Sequence, residues 1–170
     1  MLAGLLSLSG CGSHPDPAGE QAAGTPPREA GSARPSPPKP EQRARLDSRD
    51  CAEVVRLYLE ALGARDYALA ARVWDDPAID AAGLERVFGR YRELHLAWSE
   101  PLVEGAAGSL YCTVGGKLTD ALDPAKPPIE GELVLRRVND VPGATADQLR
   151  WTLRSSTFVE PLERVEGPKP

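Results

Sequence analysis

The chain has 170 residues, a formal net charge of −5, a sequence pI of about 5.1, two histidines and three cysteines. Binding to nucleic acid calls for a basic footprint that displaces counterions from phosphates, and an acidic chain excludes it as the expected partner. Two histidines leave little material for a transition-metal site, so no metal and no cofactor are expected. No apolar run approaches the roughly 18 residues that a membrane-spanning helix needs.

Residues 1–8 are apolar and lead into Ser9, Gly10 and Cys11. An apolar h-region followed by small residues is the pattern of a secretory signal segment. The basic n-region of such a segment is missing, which points to a start further upstream. The run Leu8-Ser9-Gly10-Cys11 resembles the lipobox of bacterial lipoproteins, matching its Leu, two small residues and Cys one for one. That resemblance implies cleavage before Cys11, acylation of its sulfur (palmitate) and a lipid anchor at the mature N-terminus. Each buried CH₂ contributes about 0.8 kcal/mol, so several acyl chains hold where one does not. Gly12 follows the cysteine where an Asp would favour retention. The resemblance thereby implies the outer membrane of a Gram-negative cell, facing the periplasm.

Residues 12–46 read as a disordered linker rich in Pro, Ala and Gly. Up to Arg45 this stretch has no Val, Ile, Leu, Met, Phe, Tyr or Trp, and it holds eight of the chain's 17 prolines. Such a composition cannot bury enough apolar surface to offset the entropy of ordering. Its prolines favour extended spacing of about 3.1 Å per residue, long enough for a tether of several nanometres.

A folded domain is expected over residues 47–160, with a flexible tail at 161–170. Asp50 is placed to cap a first helix, with Glu53 three residues on. Val55, Leu59 and Leu62 recur on one face beside Tyr58, and Gly63 supplies a stop. Asp66 caps a second helix carrying Tyr67, Ala70, Ala71 and Trp74, which Asp75, Asp76 and Pro77 end. A third helix is expected from about Asp80 to Arg92, with Leu84, Val87, Phe88 and Tyr91 on one face. After Leu94 the apolar period falls from 3.6 to 2. Leu94, Leu96 and Trp98 alternate, then Leu110, Cys112, Val114 and Leu118, then Leu133 and Leu135, then Leu149, Trp151 and Leu153. Turn residues at 105–108, 120–128 and 139–147 separate them. Helices followed by about four strands imply an α+β fold with the helices on one face of an antiparallel sheet.

The segment VVRLYLEALGARDYALAARVWDD resembles the opening helices of the NTF2-like (cystatin-like) fold. GAAGSLY and LVLRRVNDVPGATADQLRWTL resemble the sheet of a group of proteobacterial envelope lipoproteins that carry this domain. The resemblance implies a cone of helices packed on a curved sheet, a hollow that serves as a pocket in some members, and dimerisation through the sheet in others. Gly115-Gly116 departs from what a strand prefers and points to a bulge or bend.

For chemistry, His95 is the one histidine of the domain, and it alternates out of phase with Leu94, Leu96 and Trp98, toward the surface. Asp75 and Asp76 suit a solvated turn better than an acid–base pair. Tyr58, Trp74, Trp98 and Trp151 are candidates to line an apolar pocket, with packed core as the other reading. With Cys11 acylated, Cys51 and Cys112 remain, an even pair that an oxidising compartment can join; a free reactive thiol at Cys51 is the alternative. The functions open to such a chain are a tethered, non-catalytic envelope lipoprotein that binds a protein partner or a small apolar ligand, a pocket enzyme of the isomerase or hydratase type, and an assembly accessory.

Overall fold

The computed structural model of the chain describes residues 37–159. Cys11, the signal segment and most of the expected linker lie outside them, as does the tail at 161–170. Four helices come first: α1 (Pro40–Leu46), α2 (Cys51–Gly63), α3 (Tyr67–Ala71) and α4 (Ala81–Phe88). Three of them start at an aspartate. The Asp50 carboxylate accepts from the Ala52 N–H at 2.9 Å, Asp66 from Leu69 at 3.0 Å and Asp80 from Gly83 at 2.7 Å. Each bond satisfies a backbone donor that the first helical turn leaves free.

The helices differ from expectation in two respects. Helix α1 occupies residues 40–46, inside the stretch read as linker. Proline is well suited to its position at the start of the helix, and the Gln42 side-chain oxygen accepts from the Lys39 N–H at 2.8 Å. The second and third helices of the sequence reading are shorter than their apolar patterns suggest. Trp74 lies beyond α3 and pairs in parallel with Leu153, and Tyr91 is buried beyond the end of α4.

Five strands follow rather than about four: β1 (Leu94–Trp98), β2 (Leu102–Ala106), β3 (Ser109–Asp120), β4 (Ile129–Val138) and β5 (Thr152–Ser156). They form one antiparallel sheet in the order β1-β3-β4-β5, with β2 also paired to β3. Strand β3 is long enough to serve two partners on one edge. Residues 116–120 pair with β1 and residues 109–113 with β2. The β2–β3 hairpin turns at Ala107 and Gly108, whose φ angles of 25° and 85° suit the right-handed twist of the flanking strands.

Gly115 and Gly116 do not bulge against β4, since the register runs unbroken from Ser109↔Val138 to Leu118↔Ile129. Their role is close approach. Gly116 faces Gly131 across the ladder, and the Phe158 ring lies over both. A Cβ on Gly131 would stand 2.2 Å from Thr157 Oγ1 and 3.0 Å from the ring, so any side chain there would displace Phe158. The register shift in the sheet falls instead between Val134 and Leu135, opposite β5.

One face of the sheet carries Cys112, Val114, Leu118, Leu133, Leu135 and Leu153, all buried against the helices. Helix α2 answers with Cys51, Val54, Val55, Tyr58, Ala61 and Leu62. Burying a large apolar side chain fully contributes about 1.5–3 kcal/mol, and this interface is the main source of the fold's stability. The result is the α+β arrangement, helices before strands and on one face, that the sequence implies.

Candidate functional site

The space between α2 and the sheet is where Tyr58 and Trp151, two of the expected pocket residues, are buried. A disulfide closes one end of it. Cys51 in the first turn of α2 is bonded to Cys112 in β3, with Cα atoms 6.6 Å apart and a sequence separation of 61. Both cysteines are buried.

Beside the disulfide, the residue before β5 ties the loop over residues 139–150 to the start of α2. The Trp151 indole N–H donates to the Arg49 carbonyl at 2.9 Å. The Arg49 guanidinium donates to the Leu149 carbonyl at 3.0 Å and to Asp140 at 2.9 Å. Arg137 lies 5.5 Å over the Trp151 ring and donates to the other Asp140 oxygen at 3.1 Å. The Arg137 guanidinium holds the Asp140 carboxyl below its ordinary value, with Arg49 adding to the effect. Arg137 is buried although charged, and this clamp of Arg49, Arg137, Asp140 and Trp151 is absent from the sequence reading. Its signal was present in the spacing: Arg137 continues the two-residue alternation of Leu133 and Leu135, which turns it toward the core.

The other expected pocket residues serve separate places. Tyr58 and Trp74 meet edge to face, with ring centroids 6.5 Å apart and planes at 73°. Trp98 is half-buried at the end of β1, opposite Gly116. The interior is thus occupied by side chains around Tyr58, Trp151 and the disulfide.

Among its polar atoms without a hydrogen-bond partner are the Tyr58 hydroxyl and Trp74 Nε1. Burial pushes the phenol far above its ordinary value of 10, and the nearby indole N–H offsets only a smaller part of that. The indole biases the phenol electrostatically without meeting hydrogen-bond geometry. Tyr58 is therefore a neutral, buried hydroxyl at any physiological pH, unsuited to act as a base. Tyr58→Phe is expected to raise stability by about 1 kcal/mol, because it removes a buried polar group that nothing compensates. A thermal melt of the two proteins checks this, and a lower melting temperature for the variant would mean that the hydroxyl is partnered.

The remaining candidates lie at the surface. His95 is exposed on β1, where its carbonyl accepts from the Thr119 hydroxyl at 3.4 Å. Asp75 pairs with Arg154 at 3.2 Å, and Asp76 accepts from the Ala78 N–H at 2.8 Å within its own turn. Asp120, at the end of β3, accepts from the backbone N–H groups of Glu93, Arg92 and Leu122. Those bonds, that of Glu93 foremost, hold its carboxyl below the ordinary value. Little of Asp120 is exposed, yet it belongs to the rim of the sheet and not to the deep interior; it ties the entry to β1 to the turn after β3, at one end of the β1–β3 pair. Among the described residues, no group of three His, Cys, Asp or Glu is placed to hold a metal ion, and no helix is long and apolar enough to cross a membrane.

The open concavities flank α1. A groove of 420 Å³ runs between α1 and the α2–α3 pair, with Leu57, Ala61 and Leu69 among its lining. A second, of 400 Å³, lies along the other side of α1 between Arg43, Leu46 and Arg150. Across the first groove Arg45 reaches the Glu60 carboxylate, at 2.6 and 3.2 Å. The Arg45 hydrogen bond lowers the Glu60 carboxyl below its ordinary value, and Glu60 in turn raises the Arg45 guanidinium.

The architecture and the filled interior define an α+β domain with its helices on one face of an antiparallel sheet. The chain matches no protein-family model and no curated protein. The solved structures to which it is similar include these three. One, from Thiobacillus denitrificans, is described as a calcium/calmodulin-dependent protein kinase type II association domain; the likeness has a TM-score of 0.43 at 20% identity and covers 62% of this chain and 90% of that one. The second is Aln2 from a Streptomyces species, with a TM-score of 0.43 at 15% identity over 71% of this chain and 91% of that one. The third, from Streptomyces avermitilis, is described as a dehydratase of the NTF2-like family, with a TM-score of 0.43 at 12% identity over 69% and 95%. With identities this low, nothing about activity passes from them to this chain.

Proposed function

We propose that the chain is a lipid-anchored protein of the bacterial cell envelope whose NTF2-like domain binds a protein partner or a small apolar ligand and carries out no catalysis. The observation that carries this reading is the buried Cys51–Cys112 disulfide. Structural disulfides persist in oxidising compartments such as the periplasm and are rare in a reducing cytosol. That requirement is independent of the N-terminal sequence, and it agrees with the export that Leu8-Ser9-Gly10-Cys11 implies. On this reading Cys11 carries the acyl chains, residues 12–36 lie between the anchor and the described domain, and the domain stands off the outer membrane on its periplasmic side. The reading without catalysis is supported by the interior, which side chains around Tyr58, Trp151 and the disulfide fill.

The test is fractionation of cells that make the Cys11→Ser protein. The variant is expected in the soluble periplasmic fraction, with the unaltered protein in the membrane pellet. If the variant still pellets after a high-salt wash, the anchor assignment is wrong. Mass spectrometry of the purified N-terminus gives the second readout, a diacyl or triacyl mass on Cys11 against an unmodified one.

A further inference from the structure

Helix α1 is attached to the domain differently from every element after it. Of its seven residues only Leu46 is buried. Its other ties are made by Arg45, to Glu60 and, at 3.5 Å, to Glu53. These side chains remain partly open to solvent, where an ion pair contributes little. A seven-residue helix is also marginal on its own, so α1 keeps its form chiefly by resting on its neighbours.

The chain after α1 is pinned in quick succession. Asp47 pairs with Arg150 at 3.3 Å, Arg49 is held through both its carbonyl and its guanidinium by Trp151, Leu149 and Asp140, and Cys51 is bonded to β3. Any displacement of α1 therefore ends before Cys51. Beneath α1 lie Leu57 and Ala61, one helical turn apart on α2, and Leu69 on α3, all buried with α1 in place.

We propose that α1 is a strap, which lifts from the α2–α3 surface while the rest of the domain stays folded and so uncovers an apolar shelf formed by Leu57, Ala61 and Leu69. The hinge is Leu46–Asp47, the first point before the pinned segment. When the strap is down, the shelf is closed except for the groove beside it. When it is up, three apolar side chains face solvent. The inference does not depend on acylation of Cys11, and its failure would leave the anchor reading untouched.

Hydrogen exchange followed by mass spectrometry on the full chain tests it. The amides to follow in α1 include Arg43 N–H, closed by the Lys39 carbonyl, and at its end Asp47 N–H, closed by the Arg43 carbonyl. They are expected to exchange about a hundredfold faster than the amides of residues 57–62 in α2, because they open locally without global unfolding. Arg45→Ala, or salt at about 1 M, which shortens the screening length to about 3 Å, should speed exchange in α1 several-fold further and leave α2 unchanged. A thiol placed on the shelf, Ala61→Cys, should react with a soluble reagent faster when Arg45→Ala is also present. Glu60→Gln, which breaks the same pair from the other side, should act as Arg45→Ala does. If α1 and α2 exchange together, or if the Arg45 and Glu60 variants leave α1 exchange and labelling of the introduced thiol unchanged, α1 is part of the cooperative unit and no strap.

Discussion

Replacing Cys51 and Cys112 together by alanine is expected to lower the melting temperature of the domain by about 15 °C. The bridge joins residues 61 positions apart. In the chain-entropy account, opening a loop of that length returns about 4 kcal/mol of freedom to the unfolded chain. Domains of this size unfold with an entropy that converts each kcal/mol into about 4 °C. The loss is not confined to the unfolded state, because Cys51 also sets the start of α2 against β3, and the two alanines leave part of the sulfur volume unfilled. Differential scanning calorimetry of the two proteins, both unreduced, measures the effect. A shift of only a few degrees would show that packing alone holds α2 in place. Both sulfurs are buried, so reductant should open the bridge in the native protein only as fast as the domain unfolds. Thiol release is then expected to track the unfolding transition.

The second large effect is expected at Trp151. Its ring is almost wholly buried, its N–H holds the Arg49 carbonyl, and Arg137 stacks above it. Trp151→Ala removes the largest side chain of that region and leaves a cavity, for which the cost is about 3–5 kcal/mol. Trp151→Phe retains much of the ring and forfeits the hydrogen bond, so it should cost about 1–2 kcal/mol. The two variants separate packing from the indole bond, and denaturant melts with unchanged m-values give both numbers. If both variants cost the same, the clamp rests on the indole N–H and not on the ring. Because the clamp spans Arg49 to Asp140, proteolysis of the loop over residues 139–150 should also quicken in Trp151→Ala.

Much of this arrangement was legible in the sequence where burial is one-sided and periodic. Asp50, Asp66 and Asp80 marked three helix starts, each ahead of an apolar repeat. The alternations at Leu94–Trp98, Leu110–Leu118 and Leu133–Leu135 marked three strands, since each of these strands has one face on the core. What escaped notice lacked that asymmetry. Helix α1 has one buried residue, so no apolar period distinguishes PEQRARL from linker. Strand β2 is exposed along its whole length, and an edge strand with Leu102 and Val103 in the open obeys no alternation. Its Gly105, next to a true turn at Ala107-Gly108, read as part of that turn. Leu149 and Trp151 kept the two-residue spacing of Leu153 but precede β5, because Trp151 is taken up by Arg49 before pairing begins. As for the site, the sequence named Tyr58, Trp74, Trp98 and Trp151 without a means to say which of them meet. Only contacts between residues far apart in sequence decide that.

In the proposed lipoprotein the position of Cys51 ahead of β3 sets an order of events during export. A chain that crosses a membrane N-terminus first delivers Cys51 to the far side 61 residues before the cysteine it must join. Over that interval its thiol is unpaired. In the proposed lipoprotein the modified sulfur of Cys11 takes no part in thiol exchange, so the lipid anchor also acts as a protecting group that keeps Cys51 for Cys112.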